Sequence, residues 1–225
     1  MSTTRPGTTR PGTSRASAVH ALHDPADAHR PARLVRSAPA ALLSAAGFLA
    51  LMGTLLMTED LTGVTLFPGA MIALAFAGIA LGGGLAGVTL RLRRHRLGGG
   101  RTALISSGVA AAGGILLVVM VPVGLATGGL SGDAPAAVDR AAAIAMLALW
   151  VGTFVATTST GIGVWRSAVP SRAIGVTLTG AGLLFIVPLS IEVANVGRPP
   201  EGVIVALFAT WMVLFGGAGI ALRRA

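Results

Sequence analysis

Six long apolar runs restrict this chain to one class of fold. They cover residues 38–57, 68–90, 102–127, 140–165, 172–194 and 202–222. At about 1.5 Å of rise per residue, a helix over any one of them is long enough to cross the roughly 30 Å of hydrocarbon in a bilayer. A segment in lipid must satisfy its backbone polar groups internally, as an α-helix does. The runs therefore predict an all-α membrane protein, a bundle of six transmembrane helices.

The composition favours a lipid-embedded chain over a soluble domain. Of its 225 residues, 53% are hydrophobic and 11% are charged, and the mean hydropathy is +0.80. A soluble domain of this size needs roughly 25% charged residues to cover its surface. The chain has no cysteine, which excludes disulfides and thiolate metal sites. Abundant Ala, Gly and Arg without Lys are typical of a bacterial genome rich in GC.

The stretch from Arg91 to Arg101 determines the predicted orientation. It holds five arginines in eleven residues, and each would cost roughly 2.5–3.5 kcal/mol at the centre of a bilayer. The stretch must therefore stand in water, and short arginine-rich loops stay in the cytoplasm. Counting outward from it places fifteen of the seventeen arginines on the inner side. We predict a plasma-membrane protein with both termini in the cytoplasm.

Residues 1–37 are predicted to form a disordered basic cytoplasmic tail, followed by a transmembrane domain over residues 38–225. The tail repeats Thr-Thr-Arg-Pro-Gly and has no apolar period. Its arginines, with those of Arg91–Arg101, predict contact with anionic lipid headgroups. A membrane or ATPase subunit is a further expected partner. Nucleic acid is not expected, because the chain has no tyrosine and no folded basic surface with aromatic platforms.

A weak internal repeat leaves two interpretations open. Gly114 and Pro122 in the third run match Gly180 and Pro188 in the fifth at a common offset of 66 residues. One interpretation is a helical hairpin used three times. The other is the shared composition of membrane helices, in which Gly and Pro are common and Arg lies at inner ends.

Small residues in the second run predict close helix packing. They form two Gly-x-x-x-Gly patterns, made by Gly78, Gly82, Gly83 and Gly87. Lipid provides no hydrophobic force between helices, so small residues that let backbones approach are what favours association. The simpler interpretation is packing within this chain. The alternative is a helix-docking surface for another subunit.

Two prolines and an acid mark a candidate transport or coupling site. Pro122 and Pro188 each remove a helix hydrogen bond in the outer half of a span and predict a kink. Glu192 follows Pro188 by one turn among apolar neighbours, and Asn195 lies three residues further on. An ionisable residue near a span is a functional candidate. The simpler interpretation is a solvated acid at the membrane interface.

Two further sets of residues have mainly structural interpretations. Hydroxyls recur on one face of the fourth run, at Thr153, Thr157 and Thr160. They suggest either a polar path or, more simply, hydrogen bonds to their own helix or to a neighbour. Trp165 beside Arg166 is expected to anchor the inner interface. Trp150 and Trp211 are expected to pack within the bundle.

No motif in the chain indicates catalysis. It lacks a phosphate-binding loop, a His-Glu-x-x-His zinc motif and a Gly-x-Ser-x-Gly nucleophile motif. We therefore predict no enzyme activity, no catalytic residue, no cofactor and no metal site. The favoured function is an accessory or permease-type subunit of a larger membrane assembly. The alternative is a stand-alone transporter of small solutes or ions with its site near Glu192.

Overall fold

The structure, a computed structural model, describes residues 25–94, 100–127, 133–187, 190 and 201–224. Within these ranges the chain forms α-helices joined by short connections, and no strand is present. The helices are α1 (Pro25–Thr62), α2 (Phe67–Arg94), α3 (Gly100–Thr127), α4 (Asp133–Ser167), α5 (Arg172–Leu184) and α6 (Glu201–Arg224). The predicted class, an all-α chain with helices apolar enough for a membrane, is confirmed.

Five of these helices are long and apolar enough to cross a membrane. Their apolar stretches are Arg33–Thr62, Phe67–Arg93, Gly100–Thr127, Asp133–Ser167 and Val205–Arg224. The remaining helix, α5, is shorter, although residues 186–187 are helical again after a turn at Phe185. The predicted fifth span, 172–194, continues into residues outside the described part of the chain. A sixth crossing therefore stays a prediction.

The first helix begins earlier than the apolar run that it contains. α1 starts at Pro25, so residues 25–37, which the sequence assigned to the polar tail, are helical. Packing contributes to this extension, because the carbonyl of Leu34 lies directly against Gly87 of α2. Ala38, one turn later, is buried against the same helix. Residues 1–24 lie outside the described residues.

The six helices form a closed ring. Each described helix packs against the next one along the chain, and α6 packs back against α1. α2 also contacts α4 across the ring. α2, α3 and α4 are therefore all in contact with one another.

Neighbouring helices run antiparallel, so the connections between them alternate between the two ends of the bundle. Near one end, Leu42 of α1 meets Gly84 of α2, and near the other, Leu55 meets Gly69. α6 lies antiparallel to α1, because Gly219 packs on the backbone of Pro39 while Val205, earlier in α6, lines a groove with Met57, later in α1. The start of α1 and the end of α6 therefore lie at the same end of the bundle.

The connection between α1 and α2 lies at the opposite end of the bundle. Its first residue, Gly63, terminates α1. Gly63 has a φ of 68°, the left-handed conformation that glycine adopts without a steric penalty. Its N–H donates to the Glu59 carbonyl at 2.8 Å. The Glu59 carboxylate accepts from the Leu66 N–H at 3.1 Å. The acid therefore stabilises the chain just before α2, where a helix N-terminus favours negative charge.

Candidate functional site

The glycines of α2 divide between internal packing and an open face. A Cβ on Gly82 would lie 2.6 Å from the Ser107 carbonyl oxygen of α3. Gly78 lies directly against the Leu149 side chain of α4, and Gly87 packs on α1. A Cβ on Gly83, in contrast, would meet no described atom within 4 Å. Of the four candidate docking glycines, Gly83 is therefore the one with room for an external partner.

The same close packing continues where α3 meets α4. A Cβ on Gly113 would lie 2.7 Å from the Leu149 backbone nitrogen, and one on Gly152 would lie 2.6 Å from the nitrogen of Ala110. Gly114, the next residue of α3, packs on the α2 backbone at Ala75. We call these contacts between α2, α3 and α4 the glycine seam: Gly78, Gly82, Gly113, Gly114 and Gly152. Side chains at Gly82, Gly113, Gly114 and Gly152 would press on backbone atoms of the neighbouring helix, whereas one at Gly78 would displace the Leu149 side chain.

Pro122 lies in the C-terminal half of α3, within a helix that continues to Thr127. The proline is exposed, and so are Val119 and Val123 beside it. Proline leaves one carbonyl of the preceding turn without its usual donor. The structure therefore places Pro122 on an outward-facing surface, away from the buried core.

α5 changes its hydrogen bonding shortly before Pro188. The N–H of Phe185 donates to the Gly182 carbonyl, three residues back, at 2.9 Å. In a regular α-helix it would donate to Ala181, four residues back. The Ala181 carbonyl instead accepts the indole N–H of Trp211 on α6 at 3.1 Å. α6 thereby supplies a donor where α5 departs from regular geometry. Pro188 itself, and with it Glu192 and Asn195, lie outside the described residues.

An aromatic cluster surrounds this bond and joins α4, α5 and α6. The rings of Phe185 and Trp211 stack with centroids 4.1 Å apart, and Trp150 lies 5.8 Å from Trp211. Phe208 meets Trp211 edge-on at 5.5 Å, and Phe215 lies 6.3 Å from Phe185. All five side chains are buried. The prediction that Trp150 and Trp211 pack within the bundle is confirmed.

The hydroxyls of α4 have three different environments. Ser159 donates to a carbonyl of its own helix, as the simpler interpretation expects. Thr160 pairs with Thr89 of α2, with 3.0 Å between the two oxygens and both side chains buried. The buried hydroxyl oxygens of Thr157 and Thr158 have no hydrogen-bond partner within the described part of the chain. The hydrogen bond between Thr89 and Thr160 therefore lies near two hydroxyl groups, those of Thr157 and Thr158, that donate to no described acceptor.

One groove opens on the outside, between α1 and α6. It has a volume of about 260 Å³ and is lined by Leu49, Ala50, Gly53, Thr54, Met57, Val205, Phe208, Ala209 and Met212. Nearer the start of α1 the two helices close together, because Gly219 lies against Leu43 and Pro39. The Thr54 hydroxyl is bonded to the Ala50 carbonyl at 2.9 Å. The lining thus suits hydrocarbon and offers little to a polar solute.

Charge is separated between the two ends of the bundle. Nine arginines with described side chains lie at the end where α1 begins and α6 finishes, and every helix contributes at least one: Arg33, Arg36, Arg91, Arg93, Arg101, Arg166, Arg172, Arg223 and Arg224. The acids whose side chains are described lie at the opposite end: Glu59, Asp60, Asp133 and Asp139. Arg140 is the one described arginine among them. No three His, Cys, Asp or Glu side chains of the described ranges come together as a metal site.

Comparison of the chain with protein-family models, with curated proteins and with solved structures gave no match. The candidate sites therefore rest on the geometry of this chain. That geometry separates the sequence candidates. Gly83 lies at an open surface, Gly78, Gly82 and Gly87 lie in internal contacts, and Pro122 faces outward.

Proposed function

We propose that this chain is an accessory or permease-type subunit of a larger membrane assembly. The observation that carries the proposal is the outward face of α3. That helix has the highest mean hydropathy of the five long helices and buries the smallest share of its apolar stretch. Within the described chain it packs only against α2 and α4. Its other face, with Ile105, Ile115 and Val119, is exposed.

Gly108 gives this face a point of close approach. It lies in the same row as Ile105 and Ile115, and a Cβ there would meet no described atom within 4 Å. Small residues let a second helix pack tightly in lipid. Gly83 on α2 is a second open glycine. A helix of a partner subunit packed against either glycine would cover apolar surface that is otherwise left to lipid.

Purification of the tagged full chain from its native membranes in mild detergent tests this proposal. We expect a companion protein at near-equal amount, such as a cytoplasmic ATPase bound at Arg91–Arg101. Gly108→Leu or Gly83→Leu should release the companion while the bundle remains monodisperse. Gly82→Leu is the matched control, because it should unfold the bundle through its clash with Ser107. A chain that purifies alone under all conditions would contradict the subunit role.

The proposed topology has six spans, arranged as three hairpins, with both termini in the cytoplasm of a bacterial cell. The arginine end would face the cytoplasm, where basic loops are retained. Because the chain has no cysteine, single cysteines can test this. Thr65→Cys, in the exposed α1–α2 connection, should react with an impermeant maleimide on intact cells. Ala168→Cys, in the exposed α4–α5 turn, should react only after permeabilisation; the opposite pattern would invert the topology.

A second candidate function is a stand-alone transporter of small solutes or ions with a site near Glu192. The change of hydrogen bonding in α5 at Phe185 favours it, because interrupted helices line binding sites in many transporters. Glu192→Gln should abolish flux at normal protein abundance if this function is correct. Glu201→Gln is the control, since an acid at the start of α6 complements the helix dipole. Unchanged flux in Glu192→Gln would reject the coupled site.

A further inference from the structure

The turn between α4 and α5 is the connection at the arginine end for which every residue is described. Trp165 and Arg166 lie at the end of α4, residues 168–171 form the turn, and Arg172 opens α5. Both arginines are exposed, and 52% of Trp165 is accessible. We call Trp165, Arg166 and Arg172 the α4–α5 corner.

Close packing of α5 on α4 determines how far Trp165 and the two arginines lie from the end of the bundle. Gly175 lets α5 approach the backbone of Trp165, so Trp165 is level with Gly175. Arg172 lies three residues before Gly175, roughly 4.5 Å nearer the end of the bundle at 1.5 Å per residue. Arg166 follows Trp165 by one residue in the same direction, so both arginines branch from the backbone nearer the end of the bundle than Trp165 does. A lipid headgroup and its acyl boundary require that order.

The turn satisfies several of its own polar groups. The Ser167 hydroxyl donates to the Val164 carbonyl at 3.1 Å and accepts from the Val169 N–H at 3.3 Å. The Ser171 hydroxyl caps α5 by accepting from the Ala173 N–H at 3.2 Å. These bonds stabilise the turn and leave the two guanidinium groups as its outward charges.

No described carboxylate lies near enough to balance that charge. The first turn of α5 contains no acid, and the acids with described side chains are at the other end of the bundle. In a bilayer, arginines at the interface meet lipid phosphates, and anionic lipids attract them more strongly than zwitterionic lipids. Tryptophan prefers the same interfacial level.

We infer that the α4–α5 corner binds the phosphate headgroup of an anionic phospholipid. Arg166 and Arg172 contact the headgroup, and the Trp165 ring lies at the boundary with the acyl chains. Each arginine near the surface contributes a preference of roughly fivefold for an anionic over a zwitterionic lipid, so the two together give the corner a preference of roughly 30-fold. The inference rests on the membrane placement in the proposed function but not on a partner subunit.

Quenching of Trp165 by brominated lipids tests the preference in the full chain. The protein is reconstituted in vesicles that contain a small fraction of brominated phosphatidylglycerol or, in parallel, brominated phosphatidylcholine. Trp150 and Trp211 are buried, and a Trp165→Phe variant measures their share of the signal. We expect stronger quenching of Trp165 by the anionic lipid, with a difference that falls as salt rises.

Variants at the corner separate lipid recognition from general membrane insertion. Arg166→Gln combined with Arg172→Gln should remove the preference, and Arg140→Gln at the other end should leave it unchanged. Equal quenching by both lipids in the unchanged protein, or a preference that survives in the double variant, would overturn the inference while membrane insertion stands. Absence of quenching by either lipid would refute the membrane placement itself. Binding of a polyglutamate peptide without any lipid preference, lost in the double variant, would assign the corner to an acidic protein instead.

Discussion

The glycine seam and the aromatic cluster hold neighbouring helices together in opposite ways. In the seam, α2, α3 and α4 approach until backbone atoms nearly touch, as at Gly113 and Leu149. In the cluster, large rings fill the space between α4, α5 and α6, with Trp211 fully buried among them. Nearer the arginine end, Gly161 and Gly175 bring α4 and α5 into backbone contact as close as that of the seam. The difference shows how helix spacing depends on side-chain size when lipid provides no hydrophobic force between helices.

The two regions should also differ in their tolerance of change. A backbone contact cannot adapt to an added atom unless a whole helix moves. Rings can shift within the cluster, and their loss leaves a cavity into which neighbours can relax. We therefore expect added atoms to damage the seam most and removed atoms to damage the cluster most.

The largest effect is expected at the seam from Gly113→Ala. Its Cβ would lie 2.7 Å from the Leu149 nitrogen and 2.8 Å from the Ala145 oxygen, so we expect a loss of about 3 kcal/mol in the free energy of unfolding. Gly108→Ala on the same helix is the control, because open space surrounds it. It should be neutral or stabilising by up to about 1 kcal/mol, through helix propensity. Equilibrium unfolding in mixed micelles measures both, and similar values for the two would contradict the seam.

Trp211 provides the corresponding test of the cluster. Trp211→Ala should lower the unfolding free energy by about 2 kcal/mol, less than in a soluble core because the unfolded chain in lipid also keeps the ring out of water. Trp211→Phe keeps a ring and removes the bond to Ala181, so about 1 kcal/mol should be lost. Hydrogen exchange of the Phe185–Val187 amides should rise in both variants. Equal stability of the two would mean that the ring adds nothing to the hydrogen bond.

Thr157 offers a change of the opposite sign. Its hydroxyl is buried without a described partner, so Thr157→Val should raise the unfolding free energy by about 1 kcal/mol by removing an unused polar group. Thr210→Val is the control: Thr210 is exposed and bonded to Ala206 at 2.7 Å, and the change should stay within about 0.5 kcal/mol. A loss of stability at Thr157 would instead indicate a bound water or solute at that hydroxyl.

The smallest effect is expected for the contact that links α2 and α4 by a hydrogen bond. Thr89 and Thr160 share a bond of 3.0 Å, and hydroxyl pairs in membrane bundles contribute about 0.6 kcal/mol. A double-mutant cycle with Thr89→Val and Thr160→Val should give a coupling energy of that size. A coupling energy near zero would show that glycine packing alone sets the distance between α2 and α4.

Much of the helical framework was predictable from the chain. The apolar runs predicted the positions of the helices, because lipid requires about twenty apolar residues per crossing. The residue at which the first helix begins was harder to predict. α1 begins at Pro25 rather than at the apolar residues, and within this extension α2 packs on the Leu34 backbone at Gly87. Such a contact between distant residues leaves no periodic signal near residue 25.

The candidate sites were predictable in kind and not in location. The glycine patterns indicated close packing, yet Gly82 and Gly83 are neighbours in one helix with opposite surroundings. A helix turns about 100° per residue, so adjacent residues face different neighbouring helices or the surface. The tryptophans were expected inside the bundle, whereas the indole bond from Trp211 to Ala181 had no signal in the sequence.

Hydropathy and charge in the sequence were therefore enough for the class of fold and for the separation of arginines from acids, because both follow from what each residue costs in lipid or water. The neighbours of each glycine, the stacking of Phe185 on Trp211 and the pairing of Thr89 with Thr160 required the folded bundle. Those contacts depend on how six helices rotate and cross. Rotation and crossing are set by the packing of residues far apart in the chain.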